Sequence, residues 1–126
     1  MSARHPTLGL LGGSFDPPHM GHLLLGTWAL ATGEIDRLLV APCAVHALDK
    51  TAAASFEDRL ALCAALATEW PPHRVEVSDI EARLGAPSRT LRTLEALAAE
   101  RPGSSFRLVV GQDILAESHR WWRWDE

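Results

Sequence analysis

Apolar residues return along this chain in two rhythms that take turns. Thr7 to Leu11 is a short apolar run ended by Gly12 and Gly13, and Met20, Leu23, Leu24, Thr27, Trp28 and Ala31 then recur at helical spacing until Gly33. This order predicts a strand, a glycine turn and a helix. Arg37 to Ala41 forms a second apolar run closed by Pro42, and residues 42 to 54 carry no periodicity, so a strand and then a loop are expected. Ser55 ahead of Glu57 and Asp58 has the form of an N-cap with an acidic first turn. It should open a helix from Phe56 to about Ala67 that the "WPPH" at residues 70–73 breaks. Arg74 to Val77 is a third strand candidate. Pro87 and Ser88 begin a helix whose Leu91, Leu94, Leu97 and Ala98 share a face until Pro102 and Gly103, and Phe106 to Val110 is a fourth strand running into Gly111.

Strands alternating with helices imply right-handed crossovers, a parallel sheet and helices on both faces, which is a doubly wound α/β fold. The 126 residues suit one domain, expected to span 1–126, and no repeat or linker divides them. Hydrophobic residues at 47% and charged residues at 22% argue for a packed core rather than disorder. No apolar run approaches the roughly 20 residues of a membrane span, so no membrane partner is expected. A formal net charge of -4 disfavours a nucleic-acid polymer as partner. Cys43 and Cys63 form no close metal-type pair, and no basic segment precedes an apolar leader, so a reducing cytoplasm is expected. Lys50 is the only lysine among the 12 Lys and Arg residues, a compact point charge in an arginine-biased chain.

The candidate chemistry lies in residues 10–25, "LLGGSFDPPHMGHLLL". In an open parallel sheet, ligands collect beyond the carboxyl ends of the strands where strand order reverses. Gly12, Gly13 and Ser14 fall there. Glycines let backbone approach a ligand, and the N-terminus of the next helix favours an anion. His19 and His22, three residues apart at that N-terminus, share a face and converge on a bound phosphate. The pattern is neither G-x-G-x-x-G nor a P-loop, so imidazoles take the place of those devices.

The segment "GGSFDPPHMGH" resembles the (H/T)xGH signature of the nucleotidyltransferase superfamily. Downstream, "PSRTLRTL" at 87–94, "GQD" at 111–113 and Trp121, eight residues after Asp113, are similar to the bacterial nicotinate-nucleotide adenylyltransferase family. That resemblance implies a Rossmann-like nucleotidyltransferase fold. It also implies attack of a mononucleotide phosphate on the α-phosphorus of ATP with loss of pyrophosphate, a step of NAD biosynthesis. His22 would stabilise charge on the α-phosphate, His19 would hold ATP phosphates, and Lys50 would face them from the loop. Gly12, Gly13, Ser14 and Phe15 would shape a backbone cradle, and Gly111 and Asp113 would meet the adenosine. Ser88 and Thr90 would lie near the pyridine nucleotide and Trp121 would stack on its ring. Mg²⁺ would be held by phosphates and water, with no protein metal site expected.

The alternatives are the same chemistry on phosphopantetheine or nicotinamide mononucleotide, or a nucleotide-binding domain without turnover. A class I aminoacyl-tRNA synthetase fragment shares a similar histidine pair, but its length and basic RNA-binding surface are wanting here. The family's second signature, an "ISSTxxR"-like helix start, has no counterpart in these residues. The C-terminal part of the fold is accordingly expected to be lacking, turnover to be poor, and Trp121, Trp122 and Trp124 to favour a homo-oligomer.

Overall fold

The computed structural model describes residues 6–43, 54–84 and 90–110. Its elements are β1 (Thr7–Gly13), α1 (Met20–Ala31), β2 (Arg37–Pro42), α2 (Phe56–Ala67), a 3-10 turn (Pro72–Arg74), β3 (Val75–Val77), α3 (Ile80–Leu84), α4 (Thr90–Glu100) and β4 (Ser105–Val109). The four strands form one sheet in the order β3-β2-β1-β4, and every pairing is parallel. Growth runs from β1 outward to β2 and β3, then returns to place β4 on the other flank of β1. The reversal therefore falls between β1 and β4, as doubly winding requires.

Both faces of the sheet are covered, and the side-chain alternation of the strands shows how. Leu11, Leu38, Val40 and Val109 turn to one side and pack with Ala29, Leu30, Cys63 and Trp70 of the segments carrying α1 and α2. Leu10, Leu39 and Ala41 turn to the other and meet Ile80 of α3 and Leu97 of α4. Continuous apolar runs, rather than alternating ones, are what a strand buried on two faces needs.

Ser55 caps α2 as its position suggests, its Oγ accepting from Asp58 N at 3.1 Å. Several boundaries depart from the sequence expectation. β1 continues through Gly12 and Gly13, because both pair with β2, at Ala41 and Pro42. Arg74 belongs to the 3-10 turn and not to β3, and its side chain is turned back to the carbonyls of Asp36 and Ile35 at 3.2 and 3.0 Å. The helix Ile80–Leu84 was not expected; its start is set locally, Ile80 N donating to Ser78 Oγ at 3.2 Å. The start proposed at Pro87 and Ser88 lies outside the described residues, as does most of the loop at 42–54. No described helix is long and apolar enough to cross a membrane.

Gly26 seats α1 on the sheet. A methyl group there would overlap the Trp70 ring and stand 2.8 Å from Leu38 Cδ2, while Trp70 Nε1 donates to Thr27 Oγ1 at 3.0 Å on the same contact. Gly→Ala within a helix ordinarily stabilises by about 1 kcal/mol. Here overpacking reverses the sign: Gly26→Ala should destabilise by about 1–3 kcal/mol, read as a lowered denaturation midpoint at unchanged m-value.

Candidate functional site

The site is built where β1 gives way to α1. Gly13 closes the strand at φ 156, a value that side chains rarely adopt. A methyl on it would stand 3.7 Å from the Phe15 ring and 3.9 Å from His22 Nε2, so the imidazole edge faces the strand end. Phe15 follows at φ 51, in the left-handed region that a bulky residue enters only when its surroundings impose it. Its side chain is 1% exposed and lies against the His22 ring with 4.4 Å between centroids. The ring belongs to the core; the backbone cradle expected of Phe15 does not involve it.

His19 is the N-cap of α1 and His22 its third residue, and the two form a reciprocal capping box. His19 Nδ1 accepts from Gly21 N at 3.0 Å, and His22 Nδ1 accepts from His19 N at 3.0 Å. The rings lie 4.0 Å apart by centroid. A neutral imidazole that accepts at Nδ1 carries its proton at Nε2. Capping therefore fixes both tautomers and leaves each Nε2–H as a donor. The cap thus uses one nitrogen of each ring and leaves the opposite one uncommitted to the helix.

Burial, and after it the neighbouring His19, push His22 from the ordinary 6.5 down to about 4. At neutral pH it is an uncharged donor beside the positive end of a helix, suited to an anion that brings its own negative charge. Neither thiol competes as a nucleophile: burial raises Cys43 and pushes Cys63 up to about 11.

The remaining expected site residues divide by position. Gly12 lies exposed on the last part of β1, and Ser14 follows half-buried. Thr90 opens α4, on the other face of the sheet from α1. Lys50, Ser88, Gly111, Asp113 and Trp121 lie outside the described residues. Sequence reasoning passed over Arg59, which is 2% exposed and donates to Ser14 O at 2.9 Å. Its signal was available: Arg59 stands one turn before Cys63 and two before Leu66 and Ala67, a charge on the apolar stripe of α2. Asp16 was also unassigned; its Oδ1 accepts from Ala54 N at 3.1 Å. Among the described residues no group of three His, Cys, Asp or Glu could hold a metal ion.

The model of the cytidylyltransferase-like family matches residues 10–126. A probable nicotinate-nucleotide adenylyltransferase of Anaeromyxobacter dehalogenans is 46% identical over 121 residues, covering 94% of this chain and 63% of the relative. A protein of the same description from Myxococcus xanthus is 38% identical over 117 residues, covering 90% and 59%. The chain thus spans about three fifths of the length of these curated relatives. A solved structure of Plasmodium falciparum nicotinic acid mononucleotide adenylyltransferase complexed with NaAD shares the fold with a TM-score of 0.84. Its identity is 19%, over 96% of this chain and 59% of that one.

The lowered pKa of His22 has a measurable consequence. Unfolded chain takes up a proton on this residue near pH 6.5 and folded chain only near pH 4. The stability it contributes is complete above pH 6.5 and declines as pH falls toward about 4. Glutamine at the third helical position preserves the capping-box acceptor without titrating. Thermal melts of wild type and His22→Gln between pH 7 and 4 should show a shallower loss of Tm on acidification in the variant.

Proposed function

The chain belongs to the cytidylyltransferase-like family, and on that footing we propose that it handles ATP as an adenylyltransferase, joining AMP to nicotinate mononucleotide. A phosphate oxygen of the acceptor attacks the α-phosphorus of ATP, a new P–O–P bond forms, the bond to the β-phosphate breaks, and pyrophosphate leaves with the electron pair. No covalent enzyme intermediate is needed. Such a transfer asks the protein for positioning and for donors aimed at developing charge.

The observation that carries this reading is the pair of imidazoles at the N-terminus of α1 whose Nδ1 atoms both accept capping bonds, which leaves the Nε2 side of each ring for a ligand. In this reading His22 Nε2–H donates to a non-bridging oxygen of the α-phosphate and His19 Nε2–H to the phosphates beyond it. The backbone of Gly12, Gly13, Ser14 and Phe15 lines the same place. Lys50 faces the phosphates, Gly111 and Asp113 meet the adenosine, and Ser88, Thr90 and Trp121 receive the pyridine nucleotide. Mg²⁺ held by the phosphates and water would supply charge neutralisation. The names of the sequence relatives support nicotinate mononucleotide as acceptor, and a reducing cytoplasm suits two free thiols.

A His22→Ala variant removes the Nε2–H, and because the capping acceptor goes with it, a thermal melt checks that the variant is folded at the assay temperature. Turnover in a pyrophosphate-release assay should fall about 10² to 10³-fold, by analogy with the deletion of an oxyanion donor, while ATP affinity changes far less. Near-normal turnover would remove His22 from the reaction.

Acceptor choice gives an independent test. A carboxylate met by fixed donors discriminates strongly against an uncharged amide, so nicotinate mononucleotide should exceed nicotinamide mononucleotide by more than about tenfold in kcat/KM. Equal efficiencies at equal ATP would leave the acceptor assignment unsupported.

A further inference from the structure

Arg59 is the fourth residue of α2, yet its guanidinium works at the carboxyl edge of the sheet. Nε donates to Ala54 O at 3.2 Å, and Nη1 to Ser14 O at 2.9 Å and Cys43 O at 2.6 Å. These carbonyls belong to three segments: the residue ahead of the α2 N-cap, the turn after β1, and the residue after β2. Two further bonds tie the segments together. Cys43 N donates to Gly13 O at 2.8 Å, and Ala54 N donates to Asp16 Oδ1 at 3.1 Å.

A charge this deeply buried is costly unless its hydrogen bonds are met, and carbonyl oxygens meet them here. The consequence for the turn follows from peptide geometry. In a planar trans peptide the C=O and the N–H point to opposite sides. Holding Ser14 O against the guanidinium therefore aims the N–H of Phe15 away from Arg59. The same grip helps impose φ 51 on Phe15, whose buried ring in turn supports His22.

We infer that Arg59 is a positioning residue for phosphate binding: it orients the Ser14–Phe15 peptide so that the Phe15 N–H and the His22 Nε2–H meet the same phosphate group. The inference rests on the nucleotide reading above for the ligand, a nucleoside triphosphate. Arg59 itself touches no reacting atom.

The chain holds three phenylalanines, so selective ¹⁵N-phenylalanine labelling gives one amide signal each for Phe15, Phe56 and Phe106, assigned by single Phe→Leu substitutions. ATP is titrated into wild type, Arg59→Lys and Arg59→Gln, each checked by its melt. In the wild type the Phe15 amide should move on ATP addition. In Arg59→Lys the compact ammonium cannot replace a fork spread over three carbonyls. Its Phe15 signal should start displaced and respond less, and the Kd for ATP should rise about tenfold or more, with the Phe106 signal unmoved in β4. Arg59→Gln, uncharged and retaining one donor group, should do the same. A Phe15 amide that ignores ATP in the wild type overturns the inference without recourse to any variant, as does a folded variant binding ATP within about twofold of wild type. ATP binding with these shifts but no pyrophosphate release on nicotinate mononucleotide removes the acceptor reading and leaves Arg59 in place. Turnover with an unaltered Kd in the variants does the reverse.

Discussion

β1 hydrogen-bonds in parallel to β2 along one edge and to β4 along the other, and the rest of the molecule is arranged to permit that double pairing. A central parallel strand has no solvent face, so Leu8, Leu10 and Leu11 are all buried, and helices must cover both sides. The connections then leave opposite flanks of β1, the parting at which ligands collect in open parallel sheets. Gly12, Gly13 and Ser14 lie at that end of β1.

The histidines show how little separates a structural element from a chemical one. α1 needs acceptors for its first N–H groups, and His19 and His22 provide one each through Nδ1. Supplying them costs nothing in chemistry, because the bond that caps the helix is also the bond that sets the tautomer. A proton on His22 Nδ1 would turn an acceptor into a donor aimed at His19 N–H, so the cap and the neutral state reinforce each other. The depression to about 4 by burial agrees with that arrangement.

Much of this was legible in the sequence, for reasons that differ by element. α1, α2 and the four strands are long or apolar enough for periodicity to reveal them, and the Gly-Gly turn with its two histidines marked the site without any structural help. α3 escaped because five residues cannot display a helical period and its start depends on Ser78. Arg59 escaped because helix periodicity was traced through leucine, alanine and cysteine, and a lone arginine reads as solvent-facing until one notices that it shares their stripe. The left-handed Phe15 could not be foreseen at all. That conformation goes with a buried ring and with the bond from Arg59 to Ser14 O, both set by residues distant in the chain.

The capping box also explains a choice of residue. The signature that this segment resembles admits threonine in place of its first histidine. Position 19 is the N-cap, and threonine is a preferred N-cap whose hydroxyl accepts the same kind of bond that His19 Nδ1 takes from Gly21 N. The two residues are interchangeable there in their service to the helix, whatever each offers a phosphate. Position 22 has no such understudy. Its ring accepts on one side from His19 N and presents an N–H on the other with both nitrogens fixed in one rigid ring, whereas a glutamine amide would set its acceptor and its donor on a single carbon at the end of a flexible stem.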